Sequence, residues 1–154
     1  MADTALKRVI VTGGNAGIGY ALCKQLIIKH GCSVYLGARN ESRGNAAIEE
    51  LIKEDARCEG KVELVKVDVS DPSSIRTAAD DVSDRLGNEK LYGLVNNAGV
   101  IHLNGVTKLQ CMFTNVYGPK WMSEAFIPMI DPSVGRIVNL GSGSGPLYVK
   151  SLKD

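Results

Sequence analysis

Short runs of β-branched and aliphatic residues alternate with longer stretches in which apolar positions recur every three or four residues. Arg8–Thr12, Ser33–Gly37, Lys61–Val69, Leu91–Asn96 and Arg136–Leu140 read as strands. Between them, Gly17–His30 reads as a helix ended by Gly31. Glu41–Asp55 carries Ala47, Ile48, Leu51 and Ile52 at helical spacing. A third helix starts with Asp71 as N-cap and Pro72 at its first position, buries Ile75, Ala78, Ala79, Val82 and Leu86, and closes at Gly87. A longer helix is expected over Cys111–Met129, with Gly118-Pro119 able to kink it. Strict alternation of strand and helix implies an α/β chain with a doubly wound parallel sheet of five strands and right-handed crossovers, in a single domain spanning 1–154.

Composition removes several function classes. With 18 basic and 17 acidic residues the net charge is +1, which gives no electrostatic reason to expect nucleic acid or an anionic membrane as partner. A hydrophobic content of 44% and a charged content of 23% are ordinary for a globular domain, and no apolar run approaches the ~20 residues of a membrane span. Met1 to Arg8 has no apolar h-region, so a cytoplasmic location is expected. Cys23, Cys32, Cys58 and Cys111 form no C-x-x-C pair and read as reduced thiols; they and His30 and His102 lack metal-ligand spacing.

In a doubly wound sheet ligands bind beyond the carboxyl ends of the strands, where the strand order reverses. The first strand ends in a glycine-rich turn with the spacing G-x-x-x-G-x-G. Gly13 would allow the tight turn, Gly17 would let the backbone approach a pyrophosphate, and Gly19 would let the following helix pack closely. That helix would offer its free N–H groups and partial positive charge to the phosphates. The second strand ends at Ala38-Arg39, about 20 residues on, where a ribose-reading group is expected. An enzyme for NAD would place Asp or Glu there. Arg39 can instead grip a 2′-phosphate, with Arg43 able to assist, so NADP(H) is favoured over NAD(H); the bland alternative for Arg39 is a solvated loop charge. Asp68-Val69 ends the third strand, placed for the adenine, although Asp68 could equally be a turn-forming acid before Ser70-Asp71-Pro72. The fourth ends at Asn96-Asn97-Ala98-Gly99, the fifth at Asn139-Leu140-Gly141-Ser142.

Thr12–Gly19, Asp68-Val69, Asn96–Gly99, Asn115-Val116-Tyr117-Gly118 and Arg136–Asn139 stand in the order and context of the short-chain dehydrogenase/reductase family. From about Lys7 to Gly145 the chain resembles that family, most of all its carbonyl-reductase-like, NADP-using branch. The resemblance implies a Rossmann-type fold and an oxidoreductase that moves hydride between NADP(H) and a small carbonyl or alcohol substrate. It assigns Gly13, Asn15, Gly17, Ile18 and Gly19 to the pyrophosphate turn and Asp68 and Val69 to the adenine. Asn97, Ala98 and Gly99 fall beside the cofactor ribose. Asn115 matches the family's active-site asparagine, which supports a relay water through its helix backbone, and Ser142 matches the second serine of the pair that hydrogen-bonds the substrate oxygen; Gly141 stands at the first. Members often dimerise through two long helices, which leaves a homo-oligomer open.

The family's proton donor, a tyrosine in the pattern Tyr-x-x-x-Lys roughly a dozen residues past the serine, has no match. Tyr148 follows Ser142 by only six residues, with Lys150 and Lys153 out of step, and is expected in a loop. The literal Tyr20–Lys24 match lies on the first helix and reads as a coincidence of composition. The connection from Gly99 to Asn115 looks shorter than usual. The chain therefore reads as a family member lacking the C-terminal part of the usual fold, and a catalytically inactive NADP(H)-binding module is the alternative. On that reading the fifth strand becomes an exposed edge, and Trp121, Phe126 and Ile127 lose their cover.

Overall fold

The computed structural model describes residues 6–102 and 105–152. Five parallel strands form one sheet: β1 (Arg8–Thr12), β2 (Ser33–Ala38), β3 (Val62–Lys66), β4 (Leu91–Asn96) and β5 (Arg136–Asn139), in the order β3-β2-β1-β4-β5. The order reverses at β1, which pairs with β2 on one side and β4 on the other. This is the Rossmann arrangement, with its crevice above the carboxyl ends of β1 and β4.

Alternation along β1 divides the core. Val9 and Val11 face one side, where α1 (Gly17–His30) and α2 (Glu41–Glu54) bring Cys23, Ile27, Ala47 and Leu51 against Val34 and Leu36. Ile10 faces the other, where α3 (Pro72–Leu86) and α5 (Gly118–Phe126) bring Ile75, Val82, Met122 and Phe126 against Val65 and Leu94. The continuous apolar runs of β1 and β2 reflect burial on both faces.

The helix signals act as expected. Gly31, at φ 65°, returns its N–H to Ile27 O, and the Asp71 side chain accepts from Ser73 N ahead of Pro72. Three expectations need correction. β3 stops at Lys66, because after Val67 closes the ladder on Ala38 O, Asp68 gives its N–H to Ser74 Oγ and the chain turns there. The long helix begins earlier, at α4 (Lys108–Met112), where Thr107 and Gln110 form a reciprocal capping box. It is not regular: Phe113–Tyr117 forms a π-helical turn before α5. Two neighbours explain this. Pro119 has no N–H, so Asn115 O loses its ordinary i+4 donor, and Gly118 lies so close to β3's extension that a Cβ would come 2.9 Å from Val69 O. Finally, Tyr148 lies on a helix, α6 (Ser144–Ser151), rather than in a loop.

Exposure at the β5 side also differs in part from expectation. β5 is the sheet edge and Val138 is exposed, as is Ile127. Phe126, however, is fully buried and Trp121 half-buried, because α3 packs on α5 and supplies the cover.

Candidate functional site

The glycine turn after β1 is fixed by backbone and packing together. Gly13 has φ 65° and Gly17 φ 54°, both in the left-handed region. At Gly19 a Cβ would come 2.2 Å from Gly13 O and 2.5 Å from Asn97 Nδ2, so only glycine lets α1 seat on the turn. A Cβ at Gly17 would meet nothing, which leaves open space in front of the helix.

Among the described residues, no side chain caps the start of α1. Its N-cap, Ala16, makes no side-chain cap, and the first turn holds no acidic residue. By contrast Asn40 caps α2 and Asp71 caps α3. The uncapped N–H groups and the dipole of α1 therefore face the cleft, which is the electrostatic arrangement that an anion would complete.

A residue outside the sequence-derived set holds the turn to the neighbouring strand. Thr12 is 1% exposed; its Oγ1 accepts from Asn97 N and Ala98 N, each at 3.0 Å, and donates to Val95 O at 3.3 Å. In return Asn97 Nδ2 donates to Thr12 O at 2.8 Å and Gly13 O at 3.3 Å. Asn97 is thus a brace between β4 and the glycine turn, and its signal in the sequence was the hydroxyl at the last position of β1 opposite two amides. Beside it, Asn96 Nδ2 donates to Asn139 Oδ1 at 2.8 Å, tying the end of β4 to the end of β5.

An open cleft of about 400 Å³ lies above these strand ends. Gly13, Asn15, Ile18 and Gly19 form its turn side, and Asp68 and Val69 its far wall. Asn97, Ala98 and Gly99 line the β4 side, and Arg39 closes the β2 end. Of the residues singled out for a cofactor, only Gly17 does not line it. Arg43 and Thr114 also reach the cleft. Arg39 is exposed and forms no ion pair among the described residues, since the nearby Glu41 pairs with Lys66. Asp68 does take part in a turn, its Oδ1 accepting from Ser70 N at 2.9 Å and Ser70 Oγ at 2.6 Å, and it lines the cleft as well.

Asn115 and Ser142 lie in an adjoining groove of about 780 Å³, which shares Ile18, Asn97, Ala98, Gly99 and Val100 with the first cleft. The Asn115 carboxamide is committed to the loop after β4: Oδ1 accepts from Val100 N at 2.8 Å and Nδ2 donates to Val100 O at 2.7 Å. Pro119, four residues on, has no N–H to give the Asn115 main-chain carbonyl. Ser142 Oγ accepts from Ser144 N at 3.1 Å, so its own proton is free to point elsewhere.

The literal Tyr20–Lys24 pair belongs to the α1–α2 contact. Lys24 Nζ donates to Glu54 Oε2 at 2.5 Å. Burial, reinforced by Glu54 and Glu50, pushes the pKa of the Tyr20 hydroxyl up to about 12. That direction is opposite to what a proton donor near neutral pH needs. Tyr148 on α6 is exposed.

Comparison with known proteins agrees with this architecture. Residues 7–152 match the family model described as short chain dehydrogenase. The chain is 36% identical to (+)-neomenthol dehydrogenase of Arabidopsis thaliana over 96% of its own length and 57% of that enzyme's. It is 34% identical to carbonyl reductase [NADPH] 1 of Mus musculus over 86% of this chain and 48% of that enzyme. Among solved structures, menthone neomenthol reductase from Mentha piperita superposes with a TM-score of 0.80 at 31% identity, covering 91% of this chain and 62% of that one. The NADPH-bound carbonyl reductase from chicken fatty liver superposes with a TM-score of 0.75 at 28% identity, covering 95% and 64%. The chain thus spans less than two thirds of the length of these relatives. A glycine turn braced by Thr12 and Asn97, on a sheet of this order and with a match across nearly every residue, places the chain in the short chain dehydrogenase family.

Proposed function

We propose that this chain binds NADP(H) in the cleft above β1 and β4, and that it serves an oxidoreductase that moves hydride between NADP(H) and a carbonyl or alcohol. The observation that carries the reading is Arg39. It closes the cleft at the end of β2 with no ion pair among the described residues, beside Ala38, where recognition of an unphosphorylated ribose would call for a carboxylate. Several relatives' structures are NADPH or NADP complexes, including the chicken carbonyl reductase, which favours the same cofactor here.

The residues fit such a group. The uncapped start of α1 and the open space at Gly17 would take the diphosphate, Arg39 with Arg43 the 2′-phosphate, and Asp68 and Val69 the adenine. Asn97, Ala98 and Gly99 would lie along the nicotinamide ribose. The bound cofactor supplies or accepts the hydride. Ser142 Oγ, already accepting from Ser144 N, donates its proton as a hydrogen bond to the substrate oxygen and polarises the carbonyl. Hydride arriving at the carbonyl carbon would leave the C=O π pair on that oxygen, which would then take one proton drawn from bulk solvent; the Asn115 main-chain carbonyl would hold a relay water by accepting its hydrogen bond.

A second reading has its own support. No Tyr–Lys pair among the described residues stands where it could share an oxygen with Ser142, since Tyr20 belongs to the α1–α2 contact and Lys150 follows Tyr148 by two positions. The chain would then bind the cofactor without turnover. Two measurements on one preparation separate the readings: NADPH fluorescence titration, and NADPH oxidation with a reactive dicarbonyl. Binding with turnover supports the enzyme, binding alone supports the module, and no binding refutes both.

A further inference from the structure

The two edges of the sheet are finished differently. On β3, Val67 gives its N–H inward to Ala38 O, so alternation turns the main chain of Val62, Leu64 and Lys66 outward. Charged side chains blunt that edge: Arg85 Nη1 donates to Leu64 O at 3.0 Å and lies 3.4 Å from Glu63 Oε2, and Lys66 pairs with Glu41 at 3.7 Å. On β5, Leu140 gives its N–H inward to Asn96 O, so the N–H and C=O groups of Ile137 and Asn139 point outward. Among the described residues no side chain or loop bonds to them. Ile137 packs on the α3–α5 core, while Val138 and Leu140, on the opposite face, are 48% and 40% exposed.

We infer that β5 pairs antiparallel with β5 of a second copy of this chain, about a two-fold axis that continues the sheet across a dimer. Outward main-chain groups must meet outward groups, which puts the axis at Ile137 or at Val138. An axis at Ile137 would call on Gly135 O, which already accepts from Arg136 Nη1 at 2.7 Å. With the axis at Val138, Ile137 and Asn139 of each copy exchange N–H···O bonds with Asn139 and Ile137 of the other. Val138 then meets its own symmetry mate in a non-hydrogen-bonded pair, where side chains approach most closely. Arg136 falls opposite Leu140 of the other copy. Its alkyl stem covers that side chain, and the two guanidinium groups stand at opposite ends of the ribbon. The edge is therefore complementary to itself in hydrogen bonding, in apolar surface and in charge, as an isologous contact requires. A net charge of +1 per chain does not oppose it. The contact uses neither α4 nor α5.

Sedimentation velocity from about 1 to about 100 μM is expected to show monomer giving way to a single dimer. Val138→Lys sets two ammonium groups against each other at the axis, and Val138→Asp two carboxylates; each is expected to weaken dimerisation at least tenfold. Mixed in equal amounts, the two variants are expected to associate at least tenfold more tightly than either alone, because each ammonium then faces a carboxylate. NADPH affinity should stay within twofold of wild type in both. A second measurement keeps the apolar position nearly unchanged in size, so it decides even where a charge variant unfolds. Val138→Cys places two thiols at a pair with Cα atoms about 4.5 Å apart, within disulfide reach. Oxidised glutathione, accepting the two electrons, is expected to cross-link it into a covalent dimer, and to leave wild type and Val134→Cys, where position 134 is 45% exposed, as monomers under denaturing electrophoresis. A chain that stays monomeric at the highest concentration, open-ended oligomers, a dimer indifferent to Val138→Lys, no gain on mixing, or no cross-link at position 138 overturns the inference.

Discussion

Gly19→Ala should damage both the fold and cofactor binding, whereas Gly17→Ala should damage binding with little cost to the fold. At position 19 the added Cβ would lie 2.2 Å from Gly13 O and 2.5 Å from Asn97 Nδ2. Backbone must move, and overpacking of that kind costs about 1–3 kcal/mol, here toward the upper end. Displacing Asn97 Nδ2 also weakens its bonds to Thr12 O and Gly13 O, at about 1 kcal/mol each. The gain in helix propensity returns about 1 kcal/mol, leaving a net loss of roughly 4 kcal/mol from the costs just named. For a domain of this size that lowers Tm by roughly 8–16 °C. At position 17 no atom lies within reach of the Cβ, and only the left-handed backbone, φ 54°, resists it, at about 1–2 kcal/mol. Its Tm should fall by only a few degrees, while NADPH affinity falls at least tenfold because the methyl enters the space in front of α1. Differential scanning calorimetry and NADPH fluorescence on both variants decide the matter. A Gly19→Ala protein melting within 1 °C of wild type would refute the packing argument, and a Gly17→Ala protein with unchanged affinity would refute the placement of the diphosphate.

Other outcomes follow from single contacts. Arg39→Asp should reduce the NADPH-over-NADH preference at least a hundredfold, as expected when a charge-assisted bidentate contact worth about 3 kcal/mol is replaced by repulsion; parallel fluorescence titrations with the two cofactors measure it. Thr12→Val keeps the volume but strands the N–H groups of Asn97 and Ala98, so about 2–4 kcal/mol should be lost in urea unfolding, with Thr12→Ser close to wild type. Phe126→Ala should cost about 3–5 kcal/mol in the same assay, since the side chain is fully buried beneath α3. Asp71, whose carboxyl is held below the usual range chiefly by the Ser73 hydroxyl and then the Ser73 N–H, should stabilise α3 fully above its unfolded pKa of about 4. That contribution should fade as pH falls through the lower folded-state pKa. In Asp71→Asn the fall in Tm between pH 6 and pH 3 should be smaller than in wild type.

Much of this arrangement is legible in the residues because it depends on local chemistry. Gly31, Asp71 and Pro72 mark helix ends through backbone conformation and capping, and β1, α1 and β4 keep the expected limits. The cleft at the strand ends is equally visible, because strand ends in a doubly wound sheet converge whatever their distance in sequence. What was hidden depends on contacts between distant segments. The π-helical turn arises from the approach of Gly118 to Val69 together with the missing N–H of Pro119. The burial of Phe126 depends on α3. Thr12 looks like an ordinary strand residue until Asn97 and Ala98 are brought against it from 85 and 86 residues away.

A crystal structure of the chain with saturating NADPH tests the central placement most directly. The diphosphate should lie within hydrogen-bond distance of the main-chain N–H groups between Asn15 and Gly19, with the 2′-phosphate against the Arg39 guanidinium. A nucleotide bound elsewhere, or a cleft without it at saturation, would contradict the account.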